Sequence, residues 1–135
     1  GRLADVVLVD GSGILHPRGA GIATHLGIVA DVPTVGVTKH HLAGTLVARR
    51  RRGSELAPGE SMPIEQDGEV RGVALRTTPR ARKPIYVSPG HRIDVAAADR
   101  IVRGLLAGHR LPEPLYEADR QSRAAARRNP PETAG

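Results

Sequence analysis

The chain has 135 residues, 20 Lys and Arg against 14 Asp and Glu for a net charge of +6, and no cysteine. That length suits one small domain, and the absence of thiols excludes disulfides and thiolate metal centres. No apolar run approaches the roughly 20 residues that span a bilayer, and Gly1–Asp10 lacks the basic start and apolar core of a secretory signal, so a cytoplasmic protein without membrane contact is expected.

Asp5–Val9 reads as a buried strand that runs straight into Asp10, with Gly11 and Gly13 at once behind it. The strand starts almost at Gly1, which reads as a piece of a longer protein. A strand that ends in a carboxylate and opens into a glycine-rich loop presents an acid where backbone can approach a ligand closely. Asp10 there either binds a metal or caps the next turn. His16 follows in a His-Pro-Arg loop, as a phosphate donor or as a structural hydrogen-bonder.

Gly19–Ala30 reads as a helix with Ile22, Leu26 and Val29 on one apolar face and His25 beside them. Pro33 ends it. Thr34–Val37 reads as a second buried strand, and strand, helix, strand at this spacing is a βαβ unit with parallel strands. Lys39 follows the second strand. Ligands of such sheets bind beyond the carboxyl ends of the strands, so Asp10 and Lys39 belong on one edge, with His40 and His41 as weaker candidates. Lys39 and Lys83 are the only lysines; the positive charge is almost all guanidinium, which suits phosphate.

Lys39–Gly44 reads as a loop or short helix. Arg49–Arg52 reads as a solvated loop or a phosphate contact, followed by a polar stretch to Gly68. Glu69–Thr77 and Lys83–Ser88 read as strands, with a hairpin near Gly68. Ser88-Pro89-Gly90-His91-Arg92 closes the latter strand, and His91 is expected to join Asp10 and Lys39 at a strand end. Asp94 is expected to cap a helix that runs to about Ala107, with Gly108 as its C-cap. A polar helix from about Pro114 to Arg123 follows, and then a basic tail. The expected organisation is a domain over 1–123 and a disordered tail over 124–135. Tyr86 and Tyr116 are the only Phe, Trp or Tyr residues, too few for a binder that relies on base stacking.

Several of these segments together resemble the endonuclease V family. They are Val9-Asp10-Gly11-Ser12-Gly13-Ile14-Leu15-His16-Pro17-Arg18, Gly21-Ile22-Ala23-Thr24-His25-Leu26-Gly27, Pro33-Thr34-Val35-Gly36-Val37-Thr38-Lys39, Gly72-Val73-Ala74-Leu75-Arg76-Thr77, Lys83-Pro84-Ile85-Tyr86-Val87-Ser88-Pro89-Gly90-His91-Arg92-Ile93 and Gly108-His109-Arg110-Leu111-Pro112-Glu113-Pro114. The resemblance implies an α/β fold with an RNase H-like mixed sheet flanked by helices, whose first strands precede this chain. It implies a DNA repair endonuclease that hydrolyses the second phosphodiester bond 3′ to deoxyinosine, with RNA preferred by some members, and a full-length form that is a monomer. It implies Mg²⁺ at Asp10, with Mn²⁺ able to substitute. His16 and Lys39 would assist at the scissile phosphate, and His91 would act near the metal through water. Gly11, Gly13, Ile22 and Leu42 would border a pocket for the flipped base. A second metal carboxylate and a strand-separating wedge belong to the family's upstream part, so this chain alone is expected to be inactive. The alternative is a non-catalytic remnant that binds nucleic acid through its arginines.

Overall fold

The computed structural model describes residues 6–46 and 56–128. The Arg49–Arg52 run and residues 129–135 lie outside the described residues. In chain order the elements are β1 (Val7–Asp10), α1 (Ile22–Ala30), β2 (Thr34–Thr38), β3 (Thr45–Leu46), β4 (Ser61–Gln66), β5 (Glu69–Leu75), β6 (Ile85–His91), α2 (Val95–Gly104) and α3 (Glu113–Arg128). The strands form one sheet in the order β1-β2-β6-β5-β4-β3. β1 and β2 are parallel and joined through α1, as the βαβ reading expects. The other neighbours are antiparallel. Among the described residues no helix is long and apolar enough to cross a membrane.

Strand alternation splits the sheet into two unlike faces. One carries Val35, Val37, Val73, Leu75, Ile85 and Val87, which bury with Ala98 and Val102 of α2 and with Leu111. Leu115 and Tyr116 of α3 pack on the same layer. Each aliphatic side chain fully removed from water there contributes about 1.5–3 kcal/mol, so this layer is the main source of stability. Asp94 caps α2 as expected, its carboxylate accepting from the Ala97 amide at 2.7 Å. Asp67 and Gly68, at φ 54° and 79°, turn the β4–β5 hairpin, and positive φ at both positions is the type I′ signature.

The opposite face carries a smaller cluster at its β4 side, where Leu15, Ile64 and Ala74 bury together with Tyr86 packed against them, and is nearly bare elsewhere. Gly36, Gly72 and Gly90 alternate onto it with Ser88 and Ala74; the Gly11–Gly13 backbone lies directly against Gly36, Leu15 packs over Gly72 and Ala74, and Ala23 of α1 lies against Gly90. Gly13 N donates to Ser88 Oγ at 2.8 Å. Gly11 N donates to Val37 O at 3.0 Å and Ile14 N to Pro89 O at 2.9 Å. A Cβ on Gly36 would stand 2.6 Å from Gly13 N, and one on Gly13 would collide with the Pro89 carbonyl. α1 approaches just as closely, because a Cβ on Gly27 would come 2.6 Å from Thr34 Oγ1.

This close approach corrects the expected face of α1. Ala23, Thr24 and Gly27 are the buried residues, whereas Ile22 is 61% and Val29 86% exposed. Small side chains let the helix settle on a sheet face that has no room for Leu26. The helix starts at Ile22, not Gly19, because Gly19 has φ 79° and Gly21 is extended at the N-cap. β3 and β4 occupy part of the stretch read as loop. β4 contains Pro63, beyond the two residues that β3 pairs, where a missing donor costs little. α2 is capped at Leu105 instead of Gly108. α3 extends to Arg128, so the first part of the expected tail is helical.

Gly13→Ala is expected to cost about 3 kcal/mol or to prevent folding, since over-filling against fixed backbone has no relief. Gly59→Ala meets open space at φ 82° and is expected to cost about 1 kcal/mol. Urea unfolding of both variants checks the contrast.

Candidate active site at the carboxyl ends of the parallel strands

β1 delivers Asp10, and β2, running parallel, delivers Lys39 just beyond Thr38. Asp10 pairs in register with Val37, so its side chain and that of Lys39 start on the face that α2 and α3 cover. Asp10, Gly11, Thr38, Lys39, His40 and Leu42 line one open cleft of about 330 Å³. Asp10, Gly11, Lys39 and Leu42 of the expected set are therefore together.

The structure adds a residue that the sequence reading passed over. Asp119 of α3 places Oδ2 3.7 Å from Lys39 Nζ, both side chains about 30% exposed (28% and 32%). The same oxygen lies 3.3 Å from Arg123 Nε. At that exposure and distance an ion pair contributes at most about 1 kcal/mol, so an incoming anion or cation can exchange with it at little cost. A signal for Asp119 was present. It sits at i+4 from Leu115 and i+3 from Tyr116, in line with the apolar stripe of α3, where a carboxylate needs a reason.

The backbone next to the cleft is held through its carbonyl groups. Arg110 donates to Lys39 O at 3.1 Å and to Pro84 O at 2.9 Å. Tyr86 stacks on His41 with ring centroids 5.3 Å apart. Burial pushes the Tyr86 phenol above its usual 10.0, the nearby Arg110 charge opposing. His41 Nε2–H is shared by the Ala43 and Gly44 carbonyls at 2.9 Å each, which fixes the loop that carries Leu42.

Three expected residues lie elsewhere. His91 pairs with Thr34, while Thr38 pairs with Tyr86, so antiparallel β6 delivers His91 to the far end of the sheet, about 13 Å along the strand. There its Nε2 donates to Asp31 Oδ1 at 3.2 Å, and Arg92 Nε donates to the same carboxylate at 2.8 Å. His91 thus clasps the end of α1 and does not converge with Asp10 and Lys39. Gly13 is sealed under Pro89 and serves the loop, not the cleft. His16 accepts from Arg18 N through Nδ1 at 3.1 Å, and its carbonyl accepts from Gln66 at 2.8 Å. Nδ1 as acceptor leaves the proton of the neutral ring on Nε2. Ile22 is intermediate: its Cγ2 fills the space that a side chain on Gly11 would need.

A mixed sheet of this order, flanked by helices, with a strand-end carboxylate and lysine in one cleft, belongs to the RNase H-like α/β class. A family model for Endonuclease V matches residues 2–120, and the chain belongs to that family. It is 47% identical over 119 residues to Endonuclease V of Azotobacter vinelandii, covering 88% of this chain and 51% of that protein. Endonuclease V of Aeropyrum pernix is 46% identical over 122 residues, covering 90% of this chain and 43% of the relative. The chain therefore spans about half the length of these curated relatives. The catalytic domain of human Endonuclease V superposes with a TM-score of 0.79 at 40% identity, covering 92% of this chain and 52% of that one. Ciona intestinalis Endonuclease V, in complex with a 24mer DNA containing an inosine followed by a ribo-adenosine, gives a TM-score of 0.71 at 30% identity, covering 92% and 55%.

Asp31 is held below its usual 3.8 first by the His91 hydrogen bond and then by the Arg92 charge. A depressed carboxyl contributes stability that is present above the unfolded value and drains as pH falls through the folded one. Urea midpoints from about pH 5 to about pH 2 are expected to fall less steeply in Asp31→Asn than in the parent. Parallel curves would show that the clasp does not act on stability.

Proposed function

We propose that this chain carries the Asp10–Lys39 half of a divalent-metal-dependent endonuclease. The whole protein would hydrolyse the second phosphodiester bond 3′ to deoxyinosine in DNA. The observation behind this reading is the meeting of Asp10 and Lys39 in one cleft, with Asp119 paired to that lysine, in a chain of the endonuclease V family.

Among the described residues no three carboxylate or imidazole side chains gather as a metal cage. That fits Mg²⁺, which is usually held by one or two carboxylates and completed by water and substrate phosphate. Asp10 holds the ion, with Asp119 as the further carboxylate of that edge. The ion, when bound, supplies Lewis-acid stabilisation and an activated water. Lys39 neutralises charge that develops on the phosphate, and Arg110 keeps the Lys39 backbone in place. His16, outside the cleft, has Nε2–H to offer to a neighbouring phosphate of the same DNA strand. Gly11, with Ile22 in front of it, and Leu42 border the space for a base taken out of the stack, where close backbone contact reads its edge.

The short supply of carboxylates favours one other reading, a chain that binds nucleic acid without cutting it. An end-labelled duplex with one deoxyinosine, incubated with Mg²⁺, separates the two. Cutting one nucleotide beyond the inosine, by this chain or by it together with the family's remaining half, is expected to fall by at least about 100-fold in Asp10→Asn. Asp119→Asn is expected to lose activity comparably and keep its fold. Binding that never leads to cutting, even with that half supplied, would establish the other reading.

A further inference from the structure

The geometry points to a second nucleic-acid contact, a preformed basic loop at residues 79–84 that holds the phosphodiester backbone beside the Asp10 cleft. This inference rests on the nucleic-acid reading above and extends it to a surface outside the cleft.

The loop lies at the right end of the molecule. Leu75 pairs with Ile85, and Tyr86 pairs with Thr38, so the β5–β6 connection leaves the sheet at the same end as Lys39. It carries Arg80, Arg82 and Lys83 between Pro79 and Pro84, and all three basic residues are exposed. None of the ion pairs among the described residues involves them.

What separates this loop from an ordinary solvated charge run is how it is held. Arg76 is half-buried and spends its guanidinium on carbonyl groups alone. It donates to Leu56 O at 2.8 Å and Pro79 O at 2.9 Å. Its Nε is shared between Thr78 O at 3.3 Å and Ala81 O at 3.2 Å. Thr78 Oγ1 accepts from Ala81 N at 3.1 Å, closing the turn. Arg110 then ties Pro84 O to Lys39 O, so the loop is fixed to the backbone of the cleft lysine. Two arginines shape the loop and leave three cations facing water from a fixed backbone. A preorganised loop backbone loses little freedom on binding, so only the side chains remain to be ordered, and phosphate is the partner for which guanidinium forks are suited. A polyanionic strand leaving the cleft would meet them next.

The test is binding without catalysis. A fluorescein-labelled duplex of about 20 base pairs is titrated with the chain in EDTA at several salt concentrations, followed by anisotropy. The variant is Arg80→Ala/Arg82→Ala/Lys83→Ala, compared with Arg80→Lys/Arg82→Lys and with the exposed Arg100→Ala, and thermal melts confirm that all fold. The triple variant is expected to bind at least about tenfold more weakly at low salt, and its slope of log K against log salt to shrink by about 2 to 3, near 0.9 per lost phosphate contact. The lysine pair is expected to retain the slope, and Arg100→Ala to lower it by no more than experimental scatter. An unchanged slope in the triple variant overturns the inference, as does a parent chain that binds no duplex. Loop-dependent binding together with failure of the cleavage assay would leave this contact standing and remove the nuclease reading. Cleavage with loop-independent binding would do the reverse.

Discussion

Everything near the cleft depends on part of one sheet face, over β2 and the end of β6, being stripped of large side chains. Gly36 and Gly90, with Ser88, let backbone of the Gly11–Gly13 segment and of α1 lie directly on the strands, while Gly72 and Ala74 leave room for Leu15. The Gly11–Gly13 segment hydrogen-bonds to the sheet through Gly13 N and Ile14 N. Interiors are packed too closely to absorb an extra methyl against fixed backbone. The direction in which the chain leaves Asp10 is therefore set by glycines, some of them on strands distant in sequence. α1 inherits the same constraint through Gly27.

The other face supplies cohesion and also the chemistry. Asp10 and Lys39 start on the apolar side, and α3 crosses β1 to add Asp119. A carboxylate and an ammonium that meet at 3.7 Å on a half-open edge hold each other only weakly, which suits groups that must change partners. The fixed parts of the site use guanidinium on carbonyl oxygens instead, at Arg76 and Arg110. Arginine thus has two duties in this chain: the inward ones build loops, and the outward ones set the surface charge. The counted excess of basic residues does not distinguish them.

Much of the architecture was legible in the residues, and the gaps have physical causes. The βαβ unit, the Asp94 cap and the Asp67-Gly68 turn are written in local patterns that act within a few residues. β4 was hidden because Met62 and Ile64 alternate inside a stretch rich in Gly, Pro and Glu, although a type I′ turn at Gly68 requires a strand before it. The face of α1 was misjudged because hydrophobicity suggested large residues inward, whereas the approach distance selected small ones. Asp10 and Lys39 could be placed because parallel strands share an end, whereas Leu42 entered only through the family resemblance. His91 could not, because a strand end locates a residue only once the direction of the strand is known, and β6 runs opposite to β2. Asp119 came to the cleft by the path of α3, which no local pattern specifies.

The Gly11–Ile14 segment looks like a loop in sequence, yet its amides are bound to the sheet. Amide hydrogens exchange with solvent only when the bonds that hold them open, and segments open in cooperative units. Those of Gly11, Gly13 and Ile14 are tied to Val37, Ser88 and Pro89 and can be released only by lifting the backbone off β2 and β6. The segment behind Asp10 therefore belongs to the slow-exchanging unit of the sheet. The carboxylate is carried by a part of the chain whose motions are those of the core, while the 40–44 loop across the cleft is held by the His41 imidazole and the Thr38 hydroxyl and can open without disturbing the sheet.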